Sequence, residues 1–313
     1  MKKIAFFASA IAAAAFGTAQ ADVSVSGKAS TTYVDAGGNT ELQNGGAVSF
    51  GMSTTTDAGV TISASAGITG DADSVGSGAS ASGLTSISFG FANGSITIGD
   101  DIGVADGVGQ VGELVTYADT NNVTMSYVPG IYDDEGSGIS ASTSVGDMSL
   151  GLVYNFDGAG GGDIDGGVTN NASVTLSMPV GGASLSLAHA TSEIVGSDSS
   201  ETGVALSYGM GGGTLSLGVT GVSSDDTDKE GESYGIAYKT TLNGLALGVG
   251  MQSSSAGNVE NKNTVTTDVT LSNSLGGGAS VFAEYRSISG DGAGAESATL
   301  SKQVLAVGTS VSF

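Results

Sequence analysis

One histidine, one arginine and no cysteine leave this chain few routes to covalent or metal chemistry. The histidine, His189, ends the run Ser184-Leu185-Ser186-Leu187-Ala188-His189 and shares parity with Leu185 and Leu187. A general base needs a nucleophile and an orienting acid beside it. A lone ring near the end of an alternating run reads instead as an interfacial side chain. Without cysteine, thiol redox chemistry and thiolate metal sites are excluded, and one histidine makes no transition-metal set. The acidic runs Asp133-Asp134-Glu135 and Asp225-Asp226-Thr227-Asp228 could hold Ca²⁺ through carboxylate oxygens, although solvated acidic loops are the plainer reading. The glycine- and aspartate-rich stretch Gly160 to Gly167 lacks the nine-residue period of calcium-binding repeats. No glycine-rich run carries the Gly-Lys-Ser/Thr ending of a phosphate loop. The chain therefore reads as a non-enzyme that needs no cofactor.

Charge is the remaining chemical resource. The 313 residues hold 31 acids against eight lysines and arginines, a formal net charge of −23. So acidic a surface excludes nucleic acid, whose phosphates require clustered cations. A soluble disordered acidic chain is excluded as well, because 39% of residues are hydrophobic and the mean hydropathy is +0.18. What the charges can do is shape an electric field, and that depends on the elements that position them.

The amino end is not one of those elements. Met1-Lys2-Lys3 leads into an apolar run from Ile4 to Phe16 that closes on Ala19-Gln20-Ala21. This is the pattern of a cleavable secretory signal covering residues 1–21, and the run is shorter than the roughly 20 residues of a spanning helix. A single domain over residues 22–313 follows, with Asp22 first and a formal charge of −25 once two lysines are lost.

Throughout that domain, aliphatic residues alternate with small polar ones, the period of strands with two unlike faces. Val60, Ile62, Ala64, Ala66 and Ile68 share one parity while Thr61, Ser63 and Ser65 share the other. Met148, Leu150, Leu152, Tyr154 and Phe156 repeat the arrangement, as do Thr214 to Val219 and Gly244 to Met251. Short turns fall at Asp57-Ala58-Gly59, Asn93-Gly94, Asn121-Asn122, Gly146-Asp147, Gly181-Gly182, Gly211-Gly212, Asn243-Gly244 and Gly276-Gly277. Longer acidic connectors alternate with them, at 35–45, 70–82, 101–112, 129–137, 157–167, 194–200, 224–231, 255–263 and 290–295. One rim of short turns and one of long loops is the organisation of a transmembrane antiparallel β-barrel. Eight short turns count to eighteen strands, and sixteen remains open because strand ends are uncertain by a few residues. Either number makes a lumen too wide for Ser, Thr, Gly and Ala to fill, so it should hold water. The rival architecture is a secreted or surface-attached β-rich adhesin or surface-layer protein, a solenoid or sandwich without channel activity.

The carboxyl end reads Gln303 to Phe313, an alternating strand that closes on an aromatic. Together with the opening strand Asp22-Val23-Ser24-Val25-Ser26-Gly27-Lys28 and the hairpin ladder, this resembles a Gram-negative porin of the proteobacterial general-diffusion type. The resemblance implies an outer-membrane channel for passive diffusion of small hydrophilic solutes and ions. It implies a homotrimer in contact with lipid and lipopolysaccharide, a third loop folded into the lumen, and a terminal strand, with Val311 and Phe313, read by the barrel-assembly machinery. Two departures stand out: Arg286 is the only arginine, where such porins carry several at the constriction, and no Pro-Glu-Phe-Gly motif marks the third loop.

Parity adds a filter. Lys28 falls with Ser24 and Ser26, Arg286 with Ser280 and Glu284, and Lys302 with Val304, Ala306 and Gly308. All three are expected on the lumen side, as a basic arc on the wall. The connector after Ile98, with Asp100, Asp101, Asp106 and Glu113, corresponds in order to the third loop and is expected to bring acids to the pore. With 31 acids against six bases after residue 21, the pore is expected to prefer cations.

Overall fold

The computed structural model describes residues 22–36, 39–70, 80–99, 102–104, 108–112, 114–115, 137–157, 168–194, 197–225, 230–256, 263–290 and 303–313. Residues 1–21, Asp100, Asp101, Asp106, Glu113, Lys302 and the acidic runs 133–135 and 226–228 lie outside them.

Sixteen strands follow in chain order: β1 (Asp22–Ala36), β2 (Asn39–Thr55), β3 (Thr61–Gly70), β4 (Ser80–Phe91), β5 (Gly94–Gly99), β6 (Ser137–Val145), β7 (Met148–Asp157) and β8 (Val168–Val180). The second half comprises β9 (Ala183–Ile194), β10 (Ser197–Met210), β11 (Gly213–Ser224), β12 (Gly231–Leu242), β13 (Leu245–Ala256), β14 (Asn263–Gly276), β15 (Ala279–Ser289) and β16 (Gln303–Ser312). Each pairs antiparallel with its neighbours in sequence, and β1 closes on β16 from Lys28↔Ser312 to Asp35↔Leu305. A closed barrel leaves no unpaired edge, which is what a spanning sheet requires where no water can satisfy the backbone. Closure also rules out the solenoid and the sandwich.

The count of eighteen is corrected to sixteen. β5 pairs directly with β6, from Gly94↔Thr143 to Gly99↔Gly138, so the two are neighbours in the closed ladder of sixteen strands. Asn121-Asn122 has the residue types of a hairpin turn, but it lies outside the described residues. Two expected connectors also prove to be strand. β1 and β2 pair as far as Ala36↔Asn39, and β9 and β10 as far as Ile194↔Ser197, which absorbs most of 35–45 and 194–200. Polar composition misled there, because these strand ends extend past the apolar band. The other seven short turns are found where expected. Asn243 and Gly244 take φ of 52° and 86°, the paired positive values of a type I′ turn, whose twist suits a two-residue hairpin.

The apolar parity faces outward on every strand. Val204, Leu206, Tyr208 and Met210 on β10 are 37–50% exposed, while Glu201, Gly203 and Ala205 of the opposite parity are buried. Aromatics gather toward two levels of the outer face, with Phe91, Tyr208, Tyr238 and Phe313 on the short-turn side and Tyr33, Tyr154, Phe156, Tyr234 and Tyr285 on the other. Tyr238 Oη donates toward Met210 O and Gly211 O, at 3.1 and 3.3 Å, which draws it to the rim. Such belts flank the hydrocarbon layer in transmembrane barrels.

Candidate functional site

The lumen is the one place where chain from outside the ladder meets the inner face of the strands. Between β5 and β6, the described residues of the third connector lie along that wall in sequence order. Ile102 and Val104 are buried, and Asn155 on β7, itself fully buried, donates from Nδ2 to Ile102 O at 2.7 Å. Gly109 lies against Val219 of β11, and Gly112 against Met251 of β13. Leu114 reaches β13 and β14, and Val115 packs on the small apolar cluster of Val34, Ala36, Val304 and Ala306 at the β1–β16 seam. The segment thus follows the inside of the barrel from β7 to the seam.

Glycine makes this close approach possible. Gly203, Gly218, Gly235 and Gly250 sit on four adjacent strands, β10 to β13, with their inward side under the connector's backbone. A Cβ at Gly235 would stand 2.7 Å from Gly112 N, and one at Gly203 2.9 Å from Gly109 N, while at Gly218 and Gly250 it would collide with the carbonyls of Gly109 and Gly112. Any side chain in this trough would lift the segment into the pore.

An ion pair fastens the far end. Arg286 on β15 and Asp268 on β14 are paired in register and almost completely buried. Arg286 donates from Nε to Asp268 Oδ1 and from Nη2 to Oδ2, both at 2.9 Å, the bidentate geometry that makes such pairs strong. Asp268 Oδ2 also accepts from the backbone N–H of Leu114 at 2.8 Å and of Val115 at 3.5 Å. The carboxylate therefore holds two strands and the connector at once.

The expected filter residues separate under this geometry. Lys28 and Arg286 do lie on the inward parity, Lys28 among exposed residues and Arg286 at 1% exposure. Register sets them apart: Lys28 stands opposite Ser312 of β16 and Arg286 opposite Val304, eight residues away. That is about 26 Å along the strand. Lys28 thus lies toward the short-turn rim and Arg286 toward the loop rim, so these two share a face and not an arc. Arg286 is moreover engaged by Asp268. Asp100, Asp101, Asp106, Glu113 and Lys302 fall outside the described residues. Val311 and Phe313 point outward, and the Phe313 ring lies over Gly27, where backbone bonds of 2.9 and 3.0 Å close the seam.

Several lumen residues went unread in the sequence, Lys239 and Asp268 among them. Lys239 on β12 has the inward parity of Gly235 and Ala237, is exposed, and forms no ion pair among the described residues. With Leu114, Thr214, Thr270 and Ser272 it lines a cavity of about 430 Å³ on the short-turn side of the connector. Asp268 stands alone among Thr264, Thr266 and Thr270 on the inward face of β14. The parity argument applied to Lys28 would have found both. His189 faces outward, its Nδ1 2.9 Å from Thr202 Oγ1, and among the described residues no group of three or more His, Cys, Asp or Glu could hold a metal ion.

Comparison with known proteins agrees with this architecture. A family model described as Gram-negative porin matches residues 7–293. Among solved structures, a porin refined at 1.8 Å resolution is 16% identical with a TM-score of 0.66, covering 93% of this chain and all of that one. OmpF of Salmonella typhi, in complex with daunomycin, is 14% identical with a TM-score of 0.72, covering 93% of this chain and 97% of that one. An anion-selective porin of Comamonas acidovorans is 16% identical with a TM-score of 0.67, covering 94% of this chain and 100% of that one. No sequence among the curated proteins matches.

Proposed function

The chain belongs to the Gram-negative porin family, and from that premise we propose that it is a passive, cation-preferring outer-membrane channel whose passage is set by the connector clamped along its inner wall. The observation that carries this reading is the Asp268–Arg286 clamp, which holds Leu114 and Val115 against the wall and so fixes how much of the lumen the connector fills. Small hydrophilic solutes and ions are the cargo, because a barrel of sixteen strands encloses water.

Cation preference rests on the excess of acids, 31 against six bases in residues 22–313. Asp100, Asp101, Asp106 and Glu113 supply negative potential at the connector, and Lys28, Lys302 and Lys239 supply local positive charge. A field of fixed charges across a narrow aqueous gap favours counter-ions, most strongly at low salt. Planar bilayers under a KCl gradient test this: the reversal potential should have the cation sign and move toward zero when the four acids become Asn and Gln. Anion preference would contradict it.

Delivery and assembly complete the proposal. Residues 1–21 are removed in the periplasm, so that mass spectrometry of the mature protein begins at Asp22. The final strand, with Val311 and Phe313, is the assembly signal, and deleting Phe313 lowers the yield of folded barrel in cells. The channel is a homotrimer that contacts lipopolysaccharide and lipid. On the outer face of β1 and β2, Ala29, Thr31, Asn44 and Gly46 interrupt the apolar pattern, and Thr31 Oγ1 donates to Asn44 Oδ1 at 2.9 Å. Small and polar outward residues suit contact with a second copy better than contact with acyl chains. Native mass spectrometry in mild detergent distinguishes trimer from monomer.

A further inference from the structure

Away from the connector's glycine trough, the lumen wall has a different chemistry. On β3 to β9, the described inward side chains carry no charge, and hydroxyl groups predominate. Cross-strand neighbours bring these hydroxyls into pairs: Ser88 with Thr97 at 2.7 Å, Ser95 with Ser142 at 2.9 Å, and Ser177 with Ser186 at 3.1 Å. Like pairs elsewhere, Ser207 with Ser216 at 3.0 Å and Ser280 with Ser310 at 2.7 Å, each lie on a strand pair whose inward face also carries charge, so the absence of charge is what sets β3–β9 apart. Beside the first pair, Ser24, Ser53, Ser63, Ser65, Ser86 and Ser88 line a cavity of about 330 Å³.

Each hydroxyl has one proton to donate and two lone pairs. Within a pair one proton is used, which leaves one donor and several acceptor positions directed at the lumen. A row of such pairs offers a solute the same partners as water does, at fixed positions and without an ionic field.

We propose that the β3–β9 wall is a weak, multi-site path for neutral polyhydroxylated solutes, sugar alcohols and small sugars, separate from the charged β10–β15 wall that governs ions. This rests on the channel reading above and names a class of cargo for it. A polyol exchanges its hydration for successive hydroxyl pairs, and because each net hydrogen bond is small, it is passed on rather than held. Ions gain little from the hydroxyl pairs and respond to Lys239 and the acids instead.

The test compares two neutral solutes of nearly equal mass in proteoliposome swelling: arabitol, with five hydroxyls, and triethylene glycol, with two. The purified channel should pass arabitol faster relative to triethylene glycol than size alone allows. In the variant Ser88→Ala, Ser95→Ala, Thr97→Val, Ser142→Ala, that ratio should fall about twofold to tenfold, the effect of losing about one net hydrogen bond, with the KCl reversal potential unchanged. Lys239→Gln should do the reverse, shifting the reversal potential and leaving the ratio alone. Folding of each variant is read from its gel shift on boiling, and Ser177→Ala with Ser186→Ala repeats the test on β8 and β9. An unchanged ratio in both hydroxyl variants overturns the proposal. Failure of both solutes to swell wild-type liposomes would overturn the channel reading itself.

Discussion

The inner faces of β3–β9 and of β10–β15 use the same alternation of inward polar and outward apolar residues, yet they do opposite work. On β3–β9 the inward residues are mostly serine and threonine, several of them paired across strands, and only toward the loop rim of β7–β9 are inward side chains such as Asn155, Asn171, Ser173 and Ser192 buried. On β10–β15 they include Gly203, Gly218, Gly235 and Gly250, which make room for a second layer of chain, and Asp268, Glu284 and Arg286, which are buried. The difference teaches that inward parity alone does not mean contact with water. Where the connector lies on the wall, an inward residue becomes an interior one, and its charge must be matched there.

Removing one member of the buried pair should show this most strongly. Asp268→Leu or Arg286→Met alone leaves an uncompensated buried charge, a loss of about 3–5 kcal/mol. Urea titration followed by the gel shift on boiling should show a lowered midpoint. Equivalent single substitutions on the open wall, such as Ser140→Ala, should stay within about 0.5 kcal/mol of wild type. Comparable effects at the two places would break the contrast.

Overpacking the trough comes next. Gly218→Ala with Gly250→Ala puts two methyl groups against the carbonyls of Gly109 and Gly112. Forcing atoms into a filled site costs about 1–3 kcal/mol, unless the connector lifts away. Single-channel recordings should show a changed and more variable unit conductance while the barrel remains folded. Gly151→Ala, on the hydroxyl wall, should leave conductance alone, since what its Cβ would meet is the Thr175 side chain and not connector backbone.

How much of this was legible beforehand follows from the range of each interaction. Face and turn chemistry are local, so the outward positions of Leu150, Leu217 and Val307 and the turn at Asn243-Gly244 could be read from a few residues. Height and partner are not local. Lys28 and Arg286 carry the correct parity, but their separation depends on how β16 registers against both β15 and β1. The engagement of Arg286 depends on Asp268 and on backbone groups 154 positions before it. Asn121-Asn122 looked like a hairpin turn for the same reason: its residue types are right, and only the direct β5–β6 pairing removes it from the count. The trough glycines stood in plain view among 54 glycines, where nothing local distinguishes a glycine that receives another backbone from one that simply lies in a strand.

The smallest expected effect is electrical. Lys239→Gln removes one exposed lumen cation that has no ionic partner among the described residues, so stability should hold within about 0.5 kcal/mol. The reversal potential under a KCl gradient should move further toward the cation limit, more at low salt than at high salt. A shift of the opposite sign would mean that Lys239 does not face the conducting water.

The claim on which the rest depends is that the clamped connector limits the channel. The double variant Asp268→Leu with Arg286→Met removes both members of the clamp, so that neither is left without the other, a replacement that buried ion pairs often tolerate or benefit from. Its unit conductance in planar bilayers is the direct measurement. The account predicts a folded barrel whose conductance is larger and fluctuates, because Leu114 and Val115 have lost the acceptor that holds them to the wall. A folded double variant with the steady conductance of the wild type would contradict it.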